Sequence, residues 1–296
     1  MAATAARIGV IGIGIMGSAI ARNLCRSGAK VRGYDVDAAR LDILRGDGGA
    51  PAGSAAEAAA AAELVLTSLP SAWALDATVT SLLSAPRPGL VVAELSTLPI
   101  DVKEKARDRL AEASIVLLDC PLSGTGAQAA TGDLVVYASG ERAAYDRAAP
   151  IFARFARASH YLGAFGNGSR MKFVANLLVA VHNVASAEAM VLGMKAGLDP
   201  ATIVEVIAAG AGTSRVFELR APLMAINSYR PPTMKIDVWE KDMTIIRDFA
   251  ASLGVPTPTF SASAPIYDAA RAQGLGDADT AAVCAVIEKQ AGLKRR

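Results

Sequence analysis

The chain is poor in the residues that build metal centres and covalent cross-links. Its 296 residues include three cysteines, Cys25, Cys120 and Cys284, and two histidines, His160 and His182. None stands at metal-ligand spacing and no two form a CxxC pair, which argues against a structural zinc site or a dithiol redox motif. No metal is expected. The cysteines read as free thiols of a reducing compartment, with Cys25 and Cys120 buried. An excess of one charge is also lacking. Thirty Lys plus Arg against 28 Asp plus Glu leave a net charge of +2, with no electrostatic footprint for nucleic acid. Aromatic residues make up 5%, and Trp73 and Trp239 stand singly, as packing residues rather than a stacking platform. Long hydrophobic runs are missing too. The longest weakly charged stretch, Phe173 to Ala187, contains Asn176, His182 and Asn183 and is shorter than the roughly 20 residues of a membrane span. Met1 to Ala6 carries no basic segment, so no signal peptide is expected. The expectation is a cytoplasmic protein with no membrane or nucleic-acid partner.

What is present is a folded globule: 52% of residues are hydrophobic, with 26 Gly and 14 Pro, and the length allows two domains. In the first half, short apolar runs at Ile8–Ile11, Lys30–Asp35, Leu64–Ser68, Leu90–Glu94 and Ser114–Asp119 alternate with helical patterns, among them Ser71–Leu83 and Pro99–Ala111. Apolar strands separated by helices predict a parallel sheet covered on both faces. Leu134–Ser139 and His160–Leu162 read as later strands around a helix at Glu141–Ala156, and the alanine tract Ala55–Ala62 as a surface helix. From Ser169 to Gly193 a long helical pattern runs without internal Gly or Pro, followed by helices near 199–208, 214–224, 235–253, 262–273 and 277–291. The fold class is therefore α/β followed by all-α. The expected domains are 1–164 and 165–296, with 169–193 as the helix joining them.

Gly12, Gly14 and Gly17 form GxGxxG between a strand and a helix rich in small residues. In that context Gly12 permits a tight turn, Gly14 admits a pyrophosphate close to the backbone, and Gly17 allows close helix–strand packing. Asp35 ends the second strand, 18 residues after Gly17, where a carboxylate would accept hydrogen bonds from the adenosine ribose. The plainer reading is a glycine-rich turn with a capping aspartate. A carboxylate there repels a 2'-phosphate, so NAD is expected over NADP, with Arg32 and Arg40 near enough to keep NADP as the lesser alternative.

Open α/β sheets bind ligands outside the carboxyl ends of their strands. Three loops leave there: Pro70–Ser71, Ser96–Thr97 and Pro121–Gly126. Ser123 to Gly126 has the composition of an anion-binding loop, although each loop alone is equally a turn. Lys172 lies in the opening turns of the long helix, where the helix's positive end and partial burial both lower a lysine pKa. A lysine so disposed can exchange a proton with a substrate hydroxyl. Asn176 and Asn183 share its direction. A polar stripe facing solvent or satisfying local packing is the competing reading. Lys241 and Asp242 read as part of a solvated helix face.

Together these features resemble the β-hydroxyacid dehydrogenase family, which includes 3-hydroxyisobutyrate dehydrogenases and is related to 6-phosphogluconate dehydrogenase. The resemblance spans nearly the whole chain. Its signatures stand as IGVIGIGIMGSAIARNL from Ile8 to Leu24, DCPLSGTG from Asp119 to Gly126, and GNGSRMK from Gly166 to Lys172 followed by Asn176, with Ser96-Thr97, Lys241-Asp242 and Gly276–Thr280 in support. It implies a Rossmann-type domain, a long interdomain helix and an all-helical C-terminal domain used in forming a homodimer or homotetramer. It implies Lys172 as catalytic residue with Asn176 orienting a small hydroxy-acid substrate, and substrate contacts at Ser123, Gly124, Thr125 and Lys241. It implies cofactor contacts at Gly12, Gly14, Ile15, Met16, Gly17, Asp35, Leu69, Pro70, Thr97 and Lys241. Thr125 replaces a frequent glycine and Ala175 a frequent asparagine of the family, which points away from 3-hydroxyisobutyrate itself. The run Thr233–Ala282 is similar to sugar-acid members such as L-threonate dehydrogenases. The retained lysine argues against the related imine reductases. The activity implied is reversible NAD-dependent oxidation of a small 3-hydroxy acid or sugar acid. Reduction of small aldehyde or keto acids at the same site, and a non-catalytic NAD-binding scaffold, are the alternatives.

Overall fold

The strand β1 (Arg7–Ile11) lies at the centre of the first sheet in a computed structural model that describes residues 5–295. Around it run β2 (Lys30–Tyr34), β3 (Ala50–Pro51), β4 (Leu64–Thr67), β5 (Val91–Glu94) and β6 (Val116–Asp119), all parallel in the order β3-β2-β1-β4-β5-β6. That is the doubly wound order of dinucleotide-binding domains. The central strands β1, β4, β5 and β6 are mainly apolar because both faces are covered, whereas β2 carries Lys30 and Arg32. Ile8, Val10, Leu64, Leu66, Val91 and Ala93 enter one core layer, while Ile11, Val65, Val92 and Leu117 enter the other. The intervening helices are α1 (Ile15–Arg26), α2 (Ala38–Gly46), α3 (Ala55–Ala59), α4 (Ala72–Ser84) and α5 (Ile100–Ala111).

A second, three-stranded sheet follows. It comprises β7 (Leu122–Ser123), β8 (Val135–Ala138) and β9 (Ala158–Tyr161), with α6 (Gly126–Ala130) and α7 (Arg142–Phe152) between them. The two-residue strands β3 and β7 are absent from the sequence-based pattern, since a pair of residues carries no periodicity. The rest is helical: α8 (Asn167–Lys195), α9 (Pro200–Ala208), α10 (Arg215–Ala225), α11 (Ile236–Ser252), α12 (Pro258–Ala272) and α13 (Val283–Gln290). α12 begins earlier than the pattern predicts because Pro258 occupies its first turn, where a missing N–H costs nothing. The last helical segment splits, with Asp279 capping a 3-10 turn at Thr280–Ala282 before α13.

The chain divides into two units, Met1–Lys172 and Phe173–Arg296. At 29 residues, α8 exceeds the stretch read from the sequence, and it is the one helix among the described residues long and apolar enough to cross a membrane by length and composition. Length alone therefore does not exclude a span. Its polar residues behave as those of a core helix: Asn176, Asn183 and Ser186 are buried and hydrogen-bonded. Two expectations about packing are corrected. Cys25 is only half-buried whereas Cys284 is buried, and Trp73 is 76% exposed in the first turn of α4 rather than packed. Trp239 is buried.

Candidate functional site

In the first unit the three glycines of the fingerprint have distinct surroundings. A Cβ on Gly17 would lie 1.9 Å from the Gly12 carbonyl oxygen, and one on Gly12 would lie 2.2 Å from the Ser68 carbonyl oxygen, at φ +87°. Those two positions are closed to any side chain by the protein itself. A Cβ on Gly14 would meet nothing within 4 Å, so the open space there is room for something else. α1 starts at Gly14 without a side-chain cap and without an acidic residue in its first turn. Its orphan N–H groups are therefore available to an anion. Asp35 is fixed beside this loop. Its Oδ2 accepts the Ile13 N–H at 2.6 Å and its Oδ1 the Asp37 N–H at 2.9 Å. Local capping is thus part of its role. Arg32 is ion-paired to Glu57, and Arg40 lies 3.8 Å from Asp37. A pyrophosphate-bearing dinucleotide fits the residues present.

The other loops at the strand ends meet this one. Leu69 lies against Gly12, and its N–H donates to Ser96 Oγ at 2.7 Å, which links the Leu69–Pro70 loop to the Ser96–Thr97 loop. Gly126 approaches Ile15 so closely that a Cβ would sit 2.5 Å from the isoleucine Cγ2. Asn23 Nδ2 also donates to the Ala129 carbonyl at 2.7 Å. α6, which follows the Ser123–Thr125 loop, is thereby packed along α1. Within it Ser123 pairs with Val135 across the small sheet, Gly124 adopts φ +130°, and the Thr125 N–H donates to Gln128 Oε1 at 3.1 Å.

Beneath these loops runs a row of polar residues. Thr67, Glu94 and Asp119 are register partners at the carboxyl ends of β4, β5 and β6. From α5, Lys103 reaches into this row, with Nζ 2.6 Å from Glu94 Oε2 and 2.8 Å from Asp119 Oδ1, all three side chains 0% exposed. The Glu94 contact is a charge pairing without an aligned hydrogen bond. Burial alone would lower the Lys103 pKa, but Asp119 and Glu94 outweigh it, so the ammonium is held above its ordinary value. Asp119 also grips the start of α8. Its Oδ2 accepts the Ser169 N–H at 2.7 Å and its Oδ1 the Ser169 hydroxyl at 2.7 Å, while the Gly168 N–H donates to Ser139 Oγ at 2.9 Å. Lys172, half-buried, stands three residues further along the same helix.

In the second unit, Asn176 and Lys241 converge on one carboxylate. Asn176 Nδ2 donates to Asp242 Oδ2 at 2.9 Å and Lys241 Nζ to Asp242 Oδ1 at 2.8 Å. Asp242 is buried, not solvated as its charged sequence context suggests. Asn183 is a packing residue: its Nδ2 donates to Tyr267 Oη at 3.0 Å and to the Thr280 carbonyl at 2.8 Å. The sequence pattern misses Glu94 and Lys103, and places Asp242 on a solvated face although it is buried. A signal exists for Lys103, which occupies the apolar stripe Lys103–Ala106–Leu110 of α5. A cavity of about 440 Å³ lined by Arg107, Ser114 and Phe165 opens near the start of β6, away from these loops.

Fold and glycine loop together define a dinucleotide-binding protein. Residues 7–163 match the family model described as the NAD binding domain of 6-phosphogluconate dehydrogenase, and residues 166–287 that described as NAD-binding of NADP-dependent 3-hydroxyisobutyrate dehydrogenase. The L-threonate dehydrogenase of Cupriavidus necator is 35% identical over 284 residues, 95% of either chain. The 3-hydroxyisobutyrate dehydrogenase structure from Salmonella typhimurium superimposes with a TM-score of 0.84 at 30% identity, covering 94% of this chain and 99% of that one. The Mycobacterium tuberculosis 3-hydroxyisobutyrate dehydrogenase with L-serine gives 0.86 at 29% identity, covering 96% and 99%. The chain belongs to the 3-hydroxyisobutyrate dehydrogenase-like family of NAD-binding proteins related to 6-phosphogluconate dehydrogenase. As such it is an NAD(P)-dependent oxidoreductase of small hydroxy or keto acids.

Proposed function

We propose that the protein reversibly oxidises the hydroxyl of a small 3-hydroxy acid or sugar acid with NAD, using Lys172 as general acid/base. One observation carries the reading. Asp119, at the end of β6, fastens the α8 turn that leads to Lys172, and the Ser123–Thr125 loop leaves from that same strand end. When bound at the glycine loop, the nicotinamide supplies the hydride-acceptor chemistry. The N–H groups at Gly14, Ile15 and Met16 receive the pyrophosphate, and Leu69, Pro70, Thr97 and Lys241 complete the cofactor contacts. Ser123, Gly124 and Thr125 hold the substrate carboxylate, with Lys241 contributing its charge. Lys172 takes the hydroxyl proton at Nζ, and returns it in the reductive direction. Asn176, its amide nitrogen committed to Asp242, keeps the substrate in register through its oxygen. NAD preference is supported by Asp35 beside the loop and by the engagement of Arg32 with Glu57. L-threonate or a related sugar acid is the first substrate to test, given the similarity to the Cupriavidus enzyme.

A homodimer or homotetramer is supported by exposed Val174, Leu178 and Leu192, which share one face of α8 by helical spacing. The three free thiols favour a reducing, cytoplasmic setting. The test is NAD and NADP reduction with L-threonate, 3-hydroxyisobutyrate, L-serine, D-glycerate and 3-hydroxypropionate, on wild type and Lys172→Ala. Turnover with one acid, greater with NAD and lost by roughly 10²- to 10⁴-fold in the variant, is expected. A variant that binds NAD and turns over normally refutes the lysine's role.

A further inference from the structure

The buried ion cluster beneath the loops takes no part in the chemistry just described, yet it joins the Leu69–Ser96 loops to the start of α8. Lys103 Nζ donates to Ser96 O at 2.7 Å and to Asp119 Oδ1 at 2.8 Å, and is charge-paired with Glu94 Oε2 at 2.6 Å. Through Ser96 it reaches the cofactor side. The Ser96 N–H donates to Glu94 Oε1 at 3.0 Å, and Ser96 Oγ accepts from the Leu69 N–H. Through Asp119 it reaches α8. The oxygen that receives Nζ, Oδ1, also accepts the Ser169 hydroxyl, and the other, Oδ2, accepts the Ser169 N–H and, at 3.2 Å, the Ser139 hydroxyl. Gly168 is pressed so close that a Cβ would lie 2.3 Å from the Tyr137 carbonyl oxygen. The first turn of α8 therefore has one seat and one rotation about its axis. Lys172 follows Ser169 by three residues, about 4.5 Å along the axis on an adjoining face.

We propose that Lys103 is a positioning residue for the oxidoreductase reaction: by orienting the Asp119 carboxylate it sets the axial rotation of α8, and so the place of the Lys172 amine. The proposal rests on the reading of Lys172 as general acid/base. Lys103 touches neither substrate nor cofactor. It ties the Leu69–Ser96 loops and the lysine-bearing turn to one buried ammonium, so that the groups facing the nicotinamide and the group facing the hydroxyl share a common support. A displacement of about 1 Å at such a support can cost on the order of 10²-fold in rate without weakening binding.

Two variants test it. Lys103→Met/Glu94→Gln removes one charge of each sign and keeps the buried net charge unchanged; Ser169→Ala removes one link between Asp119 and the helix and leaves the cluster intact. Both are compared with wild type and Lys172→Ala for kcat and KM with L-threonate or whichever acid of the panel reacts, for NAD affinity by titration, and for amide hydrogen exchange. Expected is a tenfold or greater fall in kcat, with KM and NAD affinity within threefold of wild type. Exchange at residues 169–172 should accelerate at least tenfold while that of Ile8–Ile11 is unchanged. Unaltered exchange in Ser169→Ala, or accelerated exchange with native kcat in either variant, overturns the positioning role. If the double variant fails to fold, Ser169→Ala decides. Native turnover in Lys172→Ala overturns instead the assignment of the base, whatever the exchange data show.

Discussion

Replacing each fingerprint glycine by alanine should separate what the fold needs from what the ligand needs. In Gly17→Ala the new methyl would lie 1.9 Å from a backbone oxygen, a contact that only a backbone shift relieves. Overpacking of that kind costs about 1–3 kcal/mol, and a unit of this size loses about 2–4 °C in Tm per kcal/mol. A fall of roughly 2–12 °C follows. In Gly14→Ala the methyl meets nothing within 4 Å, and the backbone is already extended at φ −70°. The unfolded chain loses about 0.4–1 kcal/mol of entropy, which offsets a comparable cost of alanine at a helix N-cap. The Tm should stay within about 3 °C of wild type. Its effect falls on the ligand, because the methyl stands where a pyrophosphate would approach the N–H groups. Losing one charge-assisted hydrogen bond, about 1.5–3 kcal/mol, weakens NAD binding by about 10- to 150-fold. Thermal melting and calorimetric titration with NAD on the two variants decide it. Native NAD affinity in Gly14→Ala, with the Tm unchanged, would refute the placement of the pyrophosphate.

Three further outcomes are expected. Arg220 is 6% exposed and donates from one guanidinium nitrogen to both Asp279 oxygens at 2.7 and 2.8 Å, so Arg220→Met strands a buried carboxylate and should cost about 3–5 kcal/mol in denaturant unfolding; a change under about 1 kcal/mol would show the pair to be dispensable. Burial pushes the Cys284 thiol up to about 12 from its ordinary value; a raised folded value contributes stability fully below the unfolded pKa and loses it as pH rises toward the folded one. Tm should therefore decline between about pH 9 and 12, less steeply in Cys284→Ala, and identical slopes would sink that attribution. Trp73, exposed directly after the Leu69–Ser71 loop, should have its fluorescence altered by NAD, and Trp73→Phe should abolish the change, since Trp239 is buried in the other unit.

The parts of the molecule legible in the sequence are those whose physics is local. Gly12 and Gly17 are glycine because a backbone oxygen occupies the place of a Cβ, and that demand is written directly into residue type. The parallel sheet is legible because its central strands are mainly apolar on both faces. What escaped is what topology brings together. Glu94, Lys103 and Asp119 are separated in the chain, and each alone resembles a strand-ending acid or a helix-surface cation. Only the pairing of β5 with β6, with α5 folded back over them, makes them one cluster. Asp242 was obscured for the opposite reason. It sits in a charged run that usually marks a solvated face, yet Asn176 and Lys241 both hydrogen-bond it as a buried carboxylate.

The cluster also revises the electrostatic argument for Lys172. Lys103, Glu94 and Asp119 together carry a buried net charge of −1, which is costly unless something positive meets it. The start of α8 is that partner: Ser169 offers its N–H and hydroxyl to Asp119 from the first turn, where the helix dipole favours an anion. The sign of the surplus charge thus follows from the direction of α8, since a helix ending at this point would require a cation instead. The same pairing means that the positive helix terminus does not act on Lys172 unopposed, because Asp119 already faces it. With Asp119 facing it, the helix dipole disfavours a charged amine in the second turn less than an uncapped helix start would.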